Sequence, residues 1–394
     1  MRIAILTSGI LPVPSVLGGA VENLIDFYLR YNDDHHLHDI TVYSVNHPLV
    51  HRHPALQSKA NHYYYIDVDS LWAKIKRKIY SYKKVKDMPY NFFIGYYFEQ
   101  SLKHIAKQDY DIIILENRPG YALRLSNYTQ AKIIYHLHND LLTNKTPDYQ
   151  RIYQAATTII TVSNYISNQV KTINSNDSKC ITVYNGIDLD SFSSDNKSYI
   201  NRNHLGFQDD DFIIVYSGRI NKDKGISELI DALLKLSKYP KIKLLVLGSS
   251  FFGNASSDND FALSLKEKAW GLQNRISFTG FVPYHEVPSY LHIADVAVLP
   301  SMWEEPFGLT ILESMAAGIP LITTNSGGIP EVCGDTAIMV ERQDVSSKIV
   351  DAILDLYQNP QKRQSMILSS RNRSKTFSKE KYAKNFFNAI ISNL

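Results

Sequence analysis

The chain has 394 residues, 44% of them apolar, a net charge of +3 and two cysteines. That length exceeds one ordinary hydrophobic core and predicts two domains, each somewhat under roughly 200 residues. So slight a charge gives no ground for nucleic acid as a partner, no run of about eighteen apolar residues marks a membrane span, and Cys180 and Cys333 lack the spacing of a zinc or disulfide framework, which fits a reducing cytoplasm.

The start MRIAILTSGI enters a strand directly, without the regions of a signal peptide, so the chain reads as soluble and unexported. Arg2 to Ser8 alternates into this buried strand. A proline-rich turn follows, then Gly18 and Gly19, then a helix with Leu24, Ile25, Tyr28 and Leu29 inward. Strand, glycine turn and helix N-terminus make a place for anions, because unpaired amides and the helix dipole point there and a missing Cβ permits close approach. A Gly-Gly pair alone is also an ordinary turn, and without GxGxxG a dinucleotide fingerprint is not supported. Further strands are predicted at Ile40 to Val45, Ile112 to Leu115, Ile133 to Leu137, Thr158 to Val162 and Ile181 to Tyr184, and their alternation with helical stretches predicts a parallel, doubly wound sheet.

The insert from about Leu71 to Phe98 departs from that rhythm. Lys74, Lys76, Arg77, Lys78, Lys83, Lys84 and Lys86 are interleaved with Trp72, Tyr80 and Tyr82 and followed by Tyr90, Phe92, Phe93, Tyr96, Tyr97 and Phe98. Lysines with aromatic residues on an amphipathic stretch suit an anionic bilayer surface, each cation adding about 1 kcal/mol; the alternative is a solvated helix face followed by a core helix. His136 and His138 end the fourth predicted strand and point to one face. A metal is disfavoured there, since no third His, Cys or clustered carboxylate follows at ligand spacing. Asn185 and Gly186 signal a tight turn at the exit from the first domain, and Ser193 to Asp211 reads as a polar linker.

Phe212 opens a second sheet with a strand, Gly218, a basic loop carrying Arg219, Lys222 and Lys224, and an amphipathic helix. A planar guanidinium, a compact ammonium and the amides of a helix start are suited to phosphate oxygens. Strands at Leu244 to Leu247 and Ile276 to Phe278 precede the turn Gly280, Phe281, Val282, Pro283. Another at Val296 to Leu299 leads into PSMWEEPFGLTILESMAAGIP, a loop with Glu305 and a helix carrying Leu309, Leu312, Met315 and Ala316 inward, stopped by Gly318 and Pro320 before Leu321 to Thr323. Loops leaving the carboxyl ends of parallel strands line the ligand crevice, which puts Glu305 at its mouth and Glu313 along the helix. Ionised carboxylates only accept hydrogen bonds, so the two suit a ligand rich in hydroxyls. The last helix, Lys379 to Ser392, sets Tyr382, Phe386, Phe387, Ile390 and Ile391 on one side.

Glu305 and Glu313, seven residues between them and embedded in EPFGLTILESMAAG, resemble the acid motif of the family 4 glycosyltransferases, retaining enzymes of the GT-B fold. The resemblance covers nearly the whole chain in family order: Gly18 with Gly19, His138, the Asn-Gly-x-Asp phrase from Asn185, Gly218 and Arg219 with Lys224, and the acid pair. Members of the bacterial capsule, exopolysaccharide and spore-coat type are the most similar in kind. The resemblance implies an α/β architecture of two Rossmann-like, doubly wound parallel-sheet domains facing an interdomain cleft. Residues 1–190 would form the acceptor-side domain, with the helix of 379–394 packing back on it, and residues 205–378 the nucleotide-sugar domain.

It implies retaining transfer of a hexose-type sugar from a nucleotide diphosphate sugar, UDP-linked favoured, to a glycan or lipid-linked saccharide acceptor. By the same resemblance, His138, in preference to His136, contacts the donor sugar or the developing charge. Arg219 and Lys224 clamp the diphosphate, Glu305 grips sugar hydroxyls and Glu313 the ribose. Gly18, Gly19, Gly218, Phe281, Val282, Phe307, Gly308 and Leu309 complete the donor site. No metal or other cofactor is implied, because cations and helix amides do the work of a divalent ion. The expected location is the cytoplasm, with contact to an anionic membrane's inner face through residues 71–98. A GT-B nucleotide-sugar 2-epimerase and a non-catalytic membrane-associated scaffold are the alternatives.

Overall fold

Runs of β-branched and leucine residues build two separate parallel sheets. A computed structural model of the chain describes residues 1–82, 92–193, 200–249, 260–272 and 274–392. Lys83, Lys84, Lys86 and Tyr90 of the basic aromatic insert, and residues 194–199 of the polar linker, lie outside the described residues. The chain divides into two compact units, Met1–Gly186 with Lys379–Leu394, and Ile187–Ser378.

In the first unit the strands are β1 (Arg2–Leu6), β2 (Asp39–Val45), β3 (Asn61–Ile66), β4 (Ile112–Glu116), β5 (Lys132–Leu137), β6 (Thr158–Thr161) and β7 (Cys180–Thr182). They lie in the order β3-β2-β1-β4-β5-β6-β7, each ladder parallel. Ile112, Ile113, Ile114 and Leu115 are wholly buried, as expected of a parallel strand covered on both faces. β3 is absent from the strands predicted from sequence. Its residues NHYYYI show no clean apolar alternation, because an edge strand buries its tyrosines only in part. The histidine pair therefore stands at the end of the fifth strand, not the fourth.

Helix α1 (Ala20–His35) packs against the C-terminal helix (Lys379–Ile391). The Tyr28 ring stacks on Phe386 with centroids 4.3 Å apart and planes at 9°, and Phe387 meets Tyr28 edge-on at 6.2 Å. Tyr382, Phe386, Phe387 and Ile390 are buried; Ile391, expected on the same side, is 51% exposed, since the inward stripe ends one residue earlier. The insert forms α2 (Leu71–Tyr82) and α3 (Phe92–Ile105). Ile94, Tyr97, Phe98, Leu102 and Ile105 make α3 a core helix, whereas α2 leaves Leu71, Trp72, Ile75 and Ile79 exposed. No helix among the described residues is long and apolar enough to cross a membrane.

The second unit has β8 (Phe212–Ser217), β9 (Ile242–Leu247), β10 (Ile276–Gly280), β11 (Val296–Leu299), β12 (Leu321–Thr324) and β13 (Ile338–Val340), in the parallel order β10-β9-β8-β11-β12-β13. Edge strand β13, three residues long, is too short for periodicity to reveal. The described part of the polar linker belongs to this unit: the Arg202 guanidinium donates to the Asp209 and Asp211 carbonyls and pairs with Asp295 at 3.0 Å. Strand order reverses between β1 and β4 and between β8 and β11. At such a switch point the loops leaving the strands splay apart and open a crevice.

Candidate active site

In the second unit the loops after β8 and β11 leave that switch point side by side. The Asn221 side chain accepts from the Lys224 N–H at 3.1 Å and closes the basic loop into a tight turn. Gly225 then adopts φ +69°, and a Cβ there would sit 1.8 Å from the Pro300 carbonyl oxygen, so only glycine lets the two loops touch. Met302 N–H donates to the Asp223 carbonyl at 2.7 Å and completes the junction. In consequence Lys224 Nζ lies 2.5 Å from Glu305 Oε2. The same oxygen accepts from Trp303 Nε1 at 2.9 Å and Ser301 Oγ at 3.2 Å, and the ammonium sits 5.3 Å from the centre of the Trp303 ring.

The two adjacent acids divide the labour. Glu304 accepts from the Gly327 N–H at 2.6 Å and pairs with Arg342, which braces the loop, and this leaves Glu305 for the pocket. That pocket is lined by Tyr216, Ser217, Lys224, Ser301, Glu305 and Thr310, among others. Arg219 is exposed just past β8, its carbonyl accepting from Tyr216 Oη at 2.9 Å. Burial pushes the Tyr216 phenol up, Glu305 adds to this and Arg219 opposes it, so the hydroxyl stays protonated and donates. The Leu309–Ala317 helix begins at Gly308 with no side-chain cap; the Ile311 and Leu312 N–H groups donate to the Gly308 carbonyl, and the Leu309 and Thr310 amides ahead of them have no intrahelical acceptor. That end of the helix lines the pocket and favours negative charge.

Glu313 lies farther along the helix, buried, accepting from the Tyr284 hydroxyl. Burial pushes its carboxyl up to about 7, with the Tyr284 hydrogen bond working against that rise. The Phe307 ring is buried edge-on against Phe377, so this residue has chiefly its backbone to offer a ligand. Phe281 follows β10 and is 37% exposed, Val282 and Leu309 are half-buried, and Gly218 is half-buried beside Arg219.

A pH dependence follows if Glu313 accepts from the ribose. Below about 7 it carries a proton in the free protein and has lost one acceptor, so nucleotide affinity is greatest above that pH and falls beneath it. Between about pH 8 and pH 6, wild type should lose about tenfold more affinity for UDP than Glu313→Gln in calorimetry; the diphosphate's own protonation is common to both. Equal losses would remove Glu313 from the site.

In the first unit the loop after β1 carries Gly18 and Gly19 to the start of α1. Gly19 has φ +113°, and a Cβ on it would meet Glu22 Oε2 at 2.2 Å, so the buried Glu22 carboxyl fills the space beneath this turn. Burial pushes that carboxyl up to about 7; hydrogen bonds from its own N–H and from Ser8 oppose the rise, while Glu116 and Asp26 add to it. The helix start expected to face a ligand anion thus already has an internal acid beside it. Arg118 Nε donates to the Ser8 carbonyl at 3.4 Å from the loop after β4.

His136 and His138 do point to one face, and there they meet Glu116, the last residue of β4. His136 Nδ1 is 3.0 Å and His138 Nε2 3.0 Å from Glu116 Oε2, and Tyr28 Oη donates to Oε1 at 2.9 Å. The clustered carboxylate that sequence spacing did not reveal therefore comes from the neighbouring strand. An acid ending an otherwise apolar strand, as in IIILEN, is the signal that finds it. Burial alone would raise the Glu116 carboxyl, but His136 beside it and the hydrogen bonds from both imidazoles hold it at about 2; burial and His136 push His138 down to about 4. Between pH 6 and 8 the cluster is a carboxylate with a neutral His138.

Comparison with known proteins agrees with this layout. Residues 35–191 match the family model Glycosyltransferase Family 4, and residues 198–373 match Glycosyl transferases group 1, so the matches fall almost wholly one on each unit. Spore coat protein SA of Bacillus subtilis (strain 168) is 26% identical over 100% of both chains. The capsular polysaccharide biosynthesis glycosyltransferase CapM of Staphylococcus aureus is 33% identical over 51% of this chain and 53% of its own. Among solved structures, Anabaena HepE in complex with UDP and glucose shares the fold with a TM-score of 0.75, 19% identity and full coverage of both chains. With both units matched and two parallel Rossmann-like sheets carrying the motifs in order, the chain belongs to the family 4, group 1 type of glycosyltransferases, enzymes of GT-B fold.

Proposed function

We propose that the protein moves a hexose-type sugar from a nucleoside diphosphate sugar, UDP-linked, to a glycan or lipid-linked saccharide, with retention at the anomeric carbon. The observation that carries this reading is the junction of Lys224 and Glu305 beside the uncapped start of the Leu309–Ala317 helix. A departing diphosphate gains negative charge; Lys224, Arg219 and those amides neutralise it, and no metal is assigned to the step. Glu305 accepts from sugar hydroxyls and Glu313 from the ribose, which orients the anomeric carbon. His138 accepts from a carbohydrate hydroxyl. The leaving phosphate takes the acceptor's proton on the same face, so Glu305 positions the sugar and does not attack it.

UDP and UDP-glucose in the Anabaena HepE structures support a uridine donor, and the capsular role in the name of CapM supports a surface glycan as product. The exposed Leu71, Trp72, Ile75 and Ile79 of α2, with Lys74 and Lys76 on the same helix, support contact with an anionic membrane surface where a lipid-linked acceptor would reside.

The test is a thermal-shift screen of UDP-, GDP-, ADP- and dTDP-sugars, followed by nucleoside diphosphate release with and without lipid-linked acceptor in phosphatidylserine or phosphatidylcholine vesicles. A donor at about 100 times its Kd should stabilise by about 2.7 kcal/mol. Release that needs acceptor, and is faster on the anionic vesicles, is expected. Release without any acceptor, accompanied by a free epimeric sugar, would favour the 2-epimerase, and no shift with any donor would favour the scaffold.

A further inference from the structure

The buried cluster at the ends of β4 and β5 assigns a role to a residue that no motif contains. We propose that Glu116 is a positioning residue for His138, fixing its imidazole as the Nε2–H tautomer so that Nδ1 offers a lone pair to a carbohydrate hydroxyl. This rests on the reading of His138 as a site residue.

Glu116 pairs with His136 in the β4–β5 ladder, and the next residue, Asn117, is stitched to the same strand: its N–H donates to the His136 carbonyl at 2.8 Å and its Oδ1 accepts from the His138 N–H at 3.1 Å. The carboxylate is wholly buried, where an unpaired charge would be prohibitive. It is satisfied by Tyr28 Oη from α1, by His136 Nδ1 and by His138 Nε2. A carboxylate can only accept, so each of those three atoms must carry the proton. His136 makes the logic visible. Its other nitrogen, Nε2, is buried with no partner, so the proton that faces Glu116 is on Nδ1. His138 obeys the same rule with its nitrogens exchanged: Nε2–H faces Glu116 and Nδ1 is left as the acceptor.

Other groups around the cluster reinforce that state. Burial and His136 both disfavour a second proton on His138. Tyr382 of the C-terminal helix stacks over His136 at 6.4 Å and Phe386 lies 5.0 Å from it, while the charge of Glu116 raises the carboxyl of Glu22 in the first turn of α1 and so favours its neutral form beside the cluster. A buried carboxylate that orients an imidazole is a recurring device in catalytic and metal sites, and its loss commonly costs about 10- to 100-fold in activity.

The primary test is made on the wild type: long-range nitrogen–proton NMR of the protein labelled with ¹⁵N-histidine, the His138 signals assigned by their absence in His138→Gln. A neutral Nε2–H tautomer from about pH 6 to pH 8 is expected, whereas an Nδ1–H tautomer or an imidazolium at pH 7 would overturn the proposal whatever the variants do. In Glu116→Leu no acceptor faces Nε2, so His138 should lose its preference for the Nε2–H tautomer and kcat for UDP release from UDP-glucose should fall about 10- to 100-fold, with the KM for donor within about twofold. An unchanged tautomer and kcat in a folded Glu116→Leu, with His138→Gln impaired, would reject Glu116 and leave the reading of His138 standing. Full activity in His138→Gln would instead reject that reading.

Discussion

Replacing Lys224 with alanine is expected to lower turnover by about 10²- to 10³-fold, the scale of losing one charge-stabilising donor at a developing anion. The ammonium is held 2.5 Å from Glu305 by loops that Gly225 allows to touch, so its position is set before a donor arrives. Such preorganisation is what makes a cation effective in the transition state, since little reorganisation remains to be done as charge moves onto the leaving phosphate. The loss should therefore fall mainly on kcat. Lys224→Arg should not restore it, because a planar fork cannot take the place of a compact ammonium against Trp303 and Glu305. The same contact also holds Glu305 in place. A double-mutant cycle with Glu305→Gln separates the two: if Lys224→Ala costs nothing further in the Glu305→Gln background, Lys224 only holds Glu305, whereas a further loss of about tenfold or more assigns it to the phosphates. An unchanged rate in the single variant would remove Lys224 from the chemistry.

Truncating Phe386 to alanine is expected to destabilise the first unit by about 3–5 kcal/mol, the cost of deleting a buried aromatic ring and leaving its cavity. Phe386 is fully buried, stacks face to face on Tyr28 and meets the His136 ring at 5.0 Å. The ring therefore joins three elements at once: α1, β5 and the helix that closes the chain. In urea the transition of this unit should move down by about 1–2 M, taking a slope of about 2–3 kcal/mol per molar. Ile391→Ala in the same helix is the comparison, because its side chain is 51% exposed and the change should stay within about 0.5 kcal/mol. Equal shifts for the two variants would mean that the C-terminal helix adds no specific packing to this unit. The Phe386 variant should also weaken the Glu116 cluster, since Tyr28 donates to Glu116 from beneath the same ring.

Local pattern in the chain carried much of this architecture. Short apolar runs bounded by turn residues marked eleven of the thirteen strands, because a strand covered on both faces must be apolar along its whole length. Arg219, Lys224 and Glu305 stood out as candidates for a related reason: each lies in a loop between a strand end and a helix start, and these boundaries announce themselves through glycine, proline and a change of period, whereas Glu313, in mid-helix, stood out only by its spacing from Glu305. Tertiary structure alone decided which residues meet. Lys224 and Glu305 are 81 positions apart, Tyr28 and Glu116 are 88 apart, and neither distance is encoded in periodicity. Both contacts depend on strand order, since β8 lies beside β11 and β1 beside β4 only after the sheets assemble. The same holds for Glu304 and Glu305, adjacent in sequence and indistinguishable by type, of which one is bound to Arg342 and the Gly327 amide and the other to Lys224. Sequence determines what each segment can become through local sterics and apolar periodicity; the partner of a charged or polar side chain is a long-range property, settled by how the assembled sheet brings distant loops to one edge.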